Sequence, residues 1–394
     1  MLKTALNDKL PAFLAFLLDY TVKGRIFSMK ITLVISALNA GGAERVITTL
    51  ANAWAKEGEN VSLITFKEPG YQSFYPLHPN VNLCNLNLRV KKRLYCPNFL
   101  IPLWKLLKRT WFLRQFFKKQ KPDCIIAFLD TVNITTILAT LGLKIPIIVS
   151  ERVDPSQHPI GSLQNFLRKV TYPLANHLVV QTTQIQNYFP KKLHQRISII
   201  PNPVSLSSHG SQLPNIDYEK KKIIAVGRLE TQKGFDLLLQ AFGVVHDKQP
   251  ERDLVIWAEG SERPVLEALR SHLKLEAYVH LPGLTNNIAQ VLSDGSLFVL
   301  PSRYEGFPNS LCEAMAVGLP VVAFDCGSGS ADIIRHNIDG LLVPAQNVNA
   351  LTNAMLQLIE NIELRKQYGK RAKEIIERFS LKKILKKWDE LTHC

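Results

Sequence analysis

Two glutamates, Glu305 and Glu313, are separated by seven residues in the run EGFPNSLCE. The apolar runs 296–300 and 320–324 each predict a buried strand, and the composition of 309–317 predicts a helix between them. A loop between a strand and the next helix lies at the carboxyl edge of a parallel sheet, where such folds bind their ligands. The free N–H groups of the helix N-terminus attract anions there. We therefore expect a ligand with hydroxyl groups and negative charge, with Glu305 bound to the hydroxyls.

A second group of candidate residues lies in the sequence GRLETQKG, which follows a strand predicted over 223–226. Arg228 and Lys233 are expected to project from this loop at the carboxyl edge of the sheet, and two fixed cations suit a diphosphate. An ordinary alternative is a local ion pair between Arg228 and Glu230, with Lys233 in solvent. The other candidate site residues of the chain favour the diphosphate site.

Two other features allow both a structural and a functional interpretation. Ser310 and Glu313 stand in the S-x-x-E relation of a capping box, which satisfies the N-terminal amides of a helix. Gly41 and Gly42 form a turn after the strand predicted over 30–36, where the backbone can approach a ligand closely at a helix N-terminus. This turn lacks the G-x-G-x-x-G pattern of dinucleotide sites, and glycine turns also occur for packing alone.

The run EGFPNSLCEAMAVGLPVVA resembles the Glu-x7-Glu signature of the retaining glycosyltransferases of family 4, which have the GT-B fold, and GRLETQKGFDLLLQAF is similar to the GRL…KG motif of that family. The resemblance implies that Glu305 approaches the transferred centre of the donor sugar and that Glu313 binds the ribose hydroxyls. It also implies that Arg228 and Lys233 hold the nucleotide diphosphate and, with Glu305, carry catalysis. The implied donor-binding residues are Gly42, Arg228, Lys233, Phe307, Pro308, Asn309, Ser310 and Glu313.

Neither a cofactor nor a metal ion is expected, because the nucleotide-sugar is itself a substrate. Arg228 and Lys233 can neutralise the diphosphate, and no carboxylate cluster of the Asp-x-Asp type stands beside their motif in the sequence. The six cysteines show neither C-x-x-C pairs nor His partners at metal-ligand spacing, so neither a zinc site nor a disulfide framework is indicated.

One departure from the family pattern concerns the end of the strand predicted over 145–150. Many members carry a His near the reacting sugar, whereas this chain continues as SERVDPSQHP, which puts Glu151 and Arg152 at the strand end. We expect these two residues to contact the acceptor, and the role of the family His stays unassigned. His158 is a candidate only by its place in the sequence, and a solvated loop His is the ordinary alternative.

Alternating strand and helix patterns predict an α/β protein with two doubly wound Rossmann-like domains that face a cleft, as in the GT-B fold. A length of 394 residues suits two domains. The apolar run 10–18 is too short for a membrane span, which needs ~20 residues. The expected segments are an N-terminal extension over 1–28, an acceptor-binding domain over 29–204, a linker over 205–217, a donor-binding domain over 218–375 and a C-terminal helix over 376–394 that crosses back to the first domain.

Much of the net charge of +15 is gathered in one segment of the first domain. Between Arg89 and Lys121 there are eleven Lys or Arg residues and no Asp or Glu, interleaved with Trp and Phe. This composition predicts an interfacial helix on an anionic membrane, while a core helix with a solvated basic face is the alternative. Lys105, Lys108 and Arg109 would share a face that meets lipid phosphates. The expected acceptor-binding residues are Gly41, Gly42, Lys105, Lys108, Arg109, Glu151 and Arg152.

The first domain resembles bacterial transferases that extend undecaprenyl-diphosphate-linked oligosaccharides with N-acetylhexosamines. The resemblance implies transfer with retention from a UDP-sugar to a lipid-linked glycan, at the cytoplasmic face of the membrane, in surface polysaccharide or glycan assembly. A nucleotide-sugar epimerase or phosphorylase of the same fold would leave the basic helix unexplained. A nucleic-acid- or membrane-binding protein without catalysis would explain the charge. However, the motif residues are intact and no nucleic-acid module is evident, so no nucleic acid is expected as a partner.

Overall fold

The computed structural model of the chain describes residues 28–88, 101–157, 160–204, 215–285 and 287–392. Two parallel sheets are present in these ranges, one of seven strands and one of six. Each sheet has a hydrophobic cluster on both of its faces. The predicted α/β class with two Rossmann-like domains is therefore confirmed. Residues 1–27 of the extension predicted over 1–28 and most of the linker predicted over 205–217 lie outside the described residues.

The first domain contains seven strands and five helices among the described residues. Its strands are β1 (Lys30–Val34), β2 (Asn60–Thr65), β3 (Asn82–Asn85), β4 (Cys124–Phe128), β5 (Ile147–Ser150), β6 (His177–Val180) and β7 (Ile197–Ile199). Its helices are α1 (Gly42–Lys56), α2 (Ile101–Gln120), α3 (Asp130–Thr140), α4 (Ser162–Thr171) and α5 (Thr183–Tyr188).

The second sheet is followed by a series of helices that ends the chain. Its strands are β8 (Lys222–Arg228), β9 (Asp253–Glu259), β10 (Val279–His280), β11 (Leu297–Leu300), β12 (Val321–Asp325) and β13 (Leu341–Pro344). The helices are α6 (Phe235–Lys248), α7 (Arg263–His272), α8 (Ile288–Ser293), α9 (Asn309–Val317), α10 (Ser330–Ile333), α11 (Val348–Glu360), α12 (Ile362–Ala372), α13 (Ile375–Arg378) and α14 (Leu381–Thr392). The last three helices, α12, α13 and α14, are separated by two turns of the chain, one after α12 and one after α13.

The strand order places the candidate motifs together. The sheets run β3-β2-β1-β4-β5-β6-β7 and β10-β9-β8-β11-β12-β13, so the order reverses beside β1 in one domain and beside β8 in the other. Ligands of open α/β sheets bind outside the carboxyl ends of the strands at such reversal points. The glycine turn follows β1, the GRLETQKG loop follows β8 and the EGFP loop follows β11.

The strands are nearly continuous apolar runs because both faces of each sheet are covered by helices. In β4, for example, all five residues (CIIAF) are buried, and β11 (LFVL) is buried throughout. Successive side chains point to opposite faces, so Ile126 joins the cluster under α1 while Ile125 joins the cluster under α2 and α3.

Helix α14 belongs to the second half of the chain but completes the core of the first domain. Ile384, Leu385 and Trp388 are buried in the cluster that contains β1 and α1. The Trp388 ring stacks on Phe128 with the centroids 5.9 Å apart, and the Trp54 indole N–H donates to Asp389 Oδ1 at 2.8 Å. The helix therefore ties the two domains together through apolar contact.

We expect Trp388→Ala to lower the free energy of unfolding by about 3–5 kcal/mol, because the substitution leaves a large cavity between α14 and the first sheet. Thermal and denaturant unfolding measure the loss. Lys386→Ala, which changes an exposed residue of the same helix, is the matched control. Equal stability of both variants would show that α14 contributes little to the first-domain core.

Candidate active site

The EGFP loop connects β11 to α9 and holds Glu305 in a buried position. The Glu305 carboxylate accepts from the Ser302 hydroxyl at 2.7 Å and pairs with the Lys233 ammonium at 2.5 Å. Only 5% of the residue is exposed. A buried carboxylate requires such partners, and here the main one is a cation from a different loop. The structure thus brings the two predicted catalytic motifs into direct contact.

The GRLETQKG loop reaches Glu305 because of a left-handed glycine. Gly234 has φ 64°, and a Cβ atom there would lie 2.1 Å from the carbonyl oxygen of Pro301. Only glycine allows this approach of the two loops. The alternative of an Arg228–Glu230 ion pair is not formed, because Arg228 donates to Gln232 at 3.3 Å and Glu230 accepts from Ser261. Arg228 itself is exposed in the cleft.

Across the cleft, the glycine turn presents a carboxylate to these cations. Gly41 caps α1, and a Cβ atom on it would overlap the Glu44 carboxylate at 2.2 Å. Burial raises the pKa of Glu44, and the positive charge of Arg228 in the other domain partly offsets this. Gly42 lies beside the EGFP loop, since its carbonyl oxygen is 3.4 Å from the Asn309 amide nitrogen. The turn therefore lines the same cleft as Arg228.

Glu313 lies in α9 and turns toward the first domain. Its carboxylate pairs with the Arg45 guanidinium of α1, and the residue is 6% exposed. The capping-box alternative is not formed, because α9 begins after Pro308 and carries no side-chain cap within the described chain. The ribose-binding role of Glu313 stays a prediction. A nucleoside at this place would have to share the carboxylate with Arg45 or displace it.

A single amide, that of Asn202, connects the ends of two first-domain strands to the EGFP loop. Its oxygen accepts from the guanidinium of Arg152 and from Gln181 at 2.7 Å. Its nitrogen donates to the Phe307 carbonyl at 3.2 Å and to Asn309 Oδ1 at 2.6 Å. Both ends of this buried amide are satisfied, which fixes the position of the loop relative to the first domain.

Close backbone packing supports the same contact between the domains. A Cβ atom on Gly306 would lie 2.7 Å from the Arg152 carbonyl oxygen. The Ser328 hydroxyl is 2.6 Å from the Glu305 carbonyl oxygen and 3.3 Å from the Asp154 carboxylate of the first domain. Any side chain at residue 306 would therefore push the EGFP loop away from the first domain.

Glu151 and Arg152 do not occupy the positions we expected. Both side chains are enclosed, with 3% and 7% of the residues exposed, so the prediction that they contact the acceptor directly is corrected. Arg152 stacks over Phe128 and bonds Asn202, and burial lowers its pKa to about 9. It therefore positions the EGFP loop from beneath. His158 lies outside the described residues.

The Glu151 carboxylate faces the interior of the first domain. It accepts from the Tyr172 hydroxyl at 2.5 Å and lies 3.8 Å from Arg168 of α4. Burial raises its pKa to about 7, although the Tyr172 hydrogen bond works in the opposite direction. This carboxyl group is therefore a structural element beneath the cleft.

The predicted basic helix is present as α2, but its three singled-out cations do not share one lipid-facing surface. Lys108 lies outside, with its ammonium 5.9 Å from the Trp104 ring and 5.8 Å from the Phe112 ring. Arg109 turns inward and stacks over Phe66 at 4.8 Å, and burial lowers its pKa. The reason is that α2 packs against α3 and the first sheet through the side that carries Arg109.

Sequence reasoning missed Glu44, Arg45 and Asn202. Asn202 stands in the sequence PNP at the end of the first domain, where the prolines indicated only a domain boundary. Glu44 and Arg45 follow the glycine turn directly, so their place in the first turn of α1 could have drawn attention to them. Their partners in the second domain are more than 100 positions away in the chain, and no local pattern identifies such contacts.

The chain matches two family models that together cover most of it. The model for glycosyl transferases group 1 matches residues 211–375, and the model for glycosyltransferase family 4 matches residues 40–208. A curated relative from Campylobacter jejuni is 31% identical over 92% of this chain and 98% of its own length. It is an α-1,4-N-acetyl-D-galactosaminyltransferase whose named substrate is a GalNAc-containing glycan on diphospho-undecaprenol.

Solved structures show the same fold at low sequence identity. Sucrose-phosphate synthase from Thermosynechococcus elongatus superposes with a TM-score of 0.79 at 20% identity, covering 92% of this chain and 98% of its own. A UDP complex of TarM from S. aureus superposes with a TM-score of 0.76 at 18% identity, covering 93% of this chain and 100% of its own.

We expect the stability of the protein to fall as the pH rises between 4.5 and about 7, because the folded state holds the Glu151 proton more tightly than the unfolded state does. The contribution of protonated Glu151 to stability is fully present below pH 4.5 and is lost as the pH rises through about 7. It amounts to ~3 kcal/mol for a change of this size. Glu151→Gln keeps the neutral form and should flatten this part of the profile.

Chemical denaturation across this pH range measures the effect, with Glu219→Gln as an exposed control. The Glu151→Gln variant should gain stability relative to wild type as the pH rises, whereas the control should follow wild type. Parallel profiles for all three proteins would contradict the assignment.

Proposed function

We propose that this chain, which belongs to the GT-B glycosyltransferases of family 4, transfers a sugar from a UDP-sugar to a glycan carried on a lipid diphosphate, with retention of the anomeric configuration. The sugar we propose is an N-acetylhexosamine, as in the named Campylobacter jejuni relative. The observation that carries the proposal is the contact of Lys233 with Glu305 beside the N-terminus of α9. A cation, a carboxylate and a helix end meet there at the carboxyl edge of the donor-domain sheet.

The donor diphosphate would bind Lys233 and Arg228 in place of their present partners, Glu305 and Gln232. Lys233 is held by Glu305 at 2.5 Å, and Arg228 is exposed with only a 3.3 Å contact to Gln232, so both can turn to an incoming anion. The first N–H groups of α9 have no partners within the helix and add favourable charge. The UDP named in the TarM complex supports this choice of nucleotide. Phe307 anchors the loop by packing edge-on against Phe379 with the centroids 5.2 Å apart.

Catalysis would rest on charge placed before the reaction begins. When the bond between the sugar and the diphosphate breaks, negative charge grows on the leaving phosphate, and fixed cations lower the energy of that state. The freed Glu305 carboxylate would lie beside the sugar, whose anomeric centre becomes positive as the diphosphate leaves. The acceptor hydroxyl would attack from the face on which the diphosphate departs, which retains the configuration. Its oxygen would bond to the anomeric carbon as the bond from that carbon to the phosphate oxygen breaks, and its proton would pass to the departing phosphate oxygen. Arg228 and Lys233 supply this charge without a metal ion.

The acceptor would approach from the first domain at the inner face of the cytoplasmic membrane. The named substrate of the Campylobacter jejuni relative supports a diphospho-polyprenol carrier. Six residues of α2 before residue 115 are Lys, Arg or Trp, and the helix contains no Asp or Glu, which suits an anionic surface. None of the described helices combines the length and apolar character needed to span a bilayer.

A panel of UDP-sugars offered with lipid-diphosphate oligosaccharides, in the presence of EDTA, tests the proposal directly. Mass spectrometry should show the acceptor enlarged by one N-acetylhexosamine, and nuclear magnetic resonance should show an α-linkage from an α-linked donor. An activity that returns only with added metal would contradict the charge arrangement described above. Conversion of the UDP-sugar to its epimer without any acceptor would favour an epimerase of the same fold.

We expect Arg228→Ala and Lys233→Ala each to weaken UDP binding roughly tenfold to over a hundredfold, since a hydrogen bond to a charged group contributes about 1.5–3 kcal/mol. Isothermal titration with UDP measures the affinity. Lys248→Ala, at the exposed far end of α6, removes the same charge away from the cleft and should bind like wild type. If both cleft variants bind UDP with wild-type affinity, the diphosphate does not bind at Arg228 and Lys233.

A further inference from the structure

The connection between β2 and β3, residues 66–81, contains neither a helix nor a strand. We refer to it as the β2–β3 loop. Parallel strands are usually joined through a helix, and connections of more than about 12–15 residues without one are uncommon and often functional. The loop begins at the carboxyl end of β2, at the edge of the first sheet that faces the cleft. Its length and position therefore indicate a function beyond the joining of two strands.

Hydrogen bonds fasten the β2–β3 loop to the glycine turn that follows β1. The Tyr71 hydroxyl accepts from the Leu38 N–H at 2.8 Å and donates to Asn39 Oδ1 at 2.9 Å. The Phe74 N–H donates to the Leu38 carbonyl oxygen at 2.9 Å. Leu77 packs into the core beneath the loop. The loop and the turn thus form one surface whose backbone is already fixed without a ligand.

Phe74 leaves an aromatic ring exposed on this fixed backbone. The residue is 48% exposed, and its ring lies edge-on to Tyr75 with the centroids 5.1 Å apart. Burial raises the pKa of the Tyr75 hydroxyl, and the charges of Arg45 and Glu44 act on it in opposite directions, so these groups are neighbours. The Ser73 hydroxyl oxygen is buried and has no hydrogen-bond partner among the described residues. An exposed ring beside polar groups suits a ligand with both apolar and polar sides.

The Glu44 carboxylate supplies the polar side of the same surface. It folds back over Gly41 at the N-terminus of α1, where it accepts from its own backbone N–H. No cation of the described residues forms an ion pair with it, and Arg228 acts on it from across the cleft. A carboxylate has about four acceptor positions, so several are available to donors of a ligand. Because its charge occupies the end of α1 that attracts anions, a neutral donor such as a hydroxyl is favoured there over a phosphate.

We infer that Glu44, Phe74 and Tyr75 form a subsite for the terminal sugar of the acceptor glycan. An N-acetylhexosamine presents C–H groups on a face of its ring and hydroxyl and amide donors around its rim, which matches an exposed aromatic ring beside a carboxylate. Phe74 packs against the C–H face, and Glu44 accepts a hydrogen bond from a hydroxyl of this sugar. The inference rests on the proposed function and adds the residues that select the sugar at the end of the acceptor.

The subsite borders the place where the sugar is transferred. The Gly42 carbonyl oxygen is 3.4 Å from the amide nitrogen of Asn309 in the EGFP loop, so the glycine turn lies next to the loop that holds Glu305. Glu44 therefore has two opposite effects on the substrates. It holds the acceptor sugar through a hydrogen bond, and its negative charge beside Arg228 weakens the binding of the donor diphosphate.

Glu44→Gln separates these effects. The variant should raise the KM for a lipid-diphosphate oligosaccharide about tenfold, because a neutral amide replaces a charged hydrogen-bond acceptor. Its affinity for UDP, measured by isothermal titration, should rise, because the diphosphate no longer meets the carboxylate. Glu219→Gln removes an exposed carboxylate before β8, at the opposite edge of the second sheet, and should change neither quantity. A residue that only capped α1 would not move the two constants in opposite senses.

Phe74→Ser tests the aromatic half of the subsite. The acceptor KM should rise roughly tenfold, since the sugar loses an apolar contact. Affinity for UDP and the free energy of unfolding should match those of wild type, because the ring is exposed and contributes little to the core. Val265→Ser, which removes an exposed apolar side chain from α7 of the second domain, is the matched control.

A free sugar separates the subsite from the lipid. The probe is the methyl α-glycoside of N-acetylgalactosamine with UDP present, and saturation-transfer nuclear magnetic resonance detects its binding. Wild type should bind the glycoside and Phe74→Ser should not. Binding by wild type without any transfer to a lipid-linked acceptor would support the subsite and refute the proposed function.

Three results would overturn the inference. The first is that wild type does not bind the glycoside, or that Phe74→Ser binds it equally well. The second is a wild-type acceptor KM in both Glu44→Gln and Phe74→Ser. The third is a Phe74→Ser variant that binds UDP normally but a UDP-N-acetylhexosamine weakly, because this would assign the subsite to the donor sugar.

Discussion

The buried amide of Asn202 is the contact on which the arrangement of the cleft depends. It accepts two hydrogen bonds from the first domain and donates two to the EGFP loop of the second. Both sheets must turn their carboxyl edges toward each other for the motifs to meet, and flexible linkers alone do not impose such an orientation. Gly306 lets the loop approach, Arg152 supports the amide from below, and Glu305 is thereby held against Lys233.

The charges of the cleft are arranged in alternating pairs across the two domains. Glu305 holds Lys233 within the second domain, while Arg45 of the first domain holds Glu313 of the second and Glu44 faces Arg228. Buried pairs of this kind compensate desolvation without adding much stability. In the proposed function they keep cations in place for the donor diphosphate, which can replace a carboxylate as the partner of a cation.

Much of the fold could be predicted from the sequence, because parallel strands covered on both faces appear as short apolar runs. The position of the EGFP and GRLETQKG loops at the carboxyl edge of the sheet could also be predicted, since each loop follows a strand. The orientation of α2 could not be predicted in full. Periodicity shows that Lys105, Lys108 and Arg109 lie within one arc of the helix, but packing against Phe66 and α3 decides where that arc enters the core. Glu151 was misjudged for a similar reason, because its partner Tyr172 is 21 positions away.

Helix α14 has a consequence for how the protein is made. The sheet of the first domain is complete in sequence after about 200 residues, yet the core of this domain includes Trp388, which is synthesised after the strands of the second domain. During synthesis the surface formed by Trp54 and Phe128 is therefore open to water until the second domain has been translated. A chain that ends before α14 would expose this apolar surface permanently, and proteases and chaperones would recognise it. The cleft between the two domains is therefore fully formed only after α14 has been synthesised.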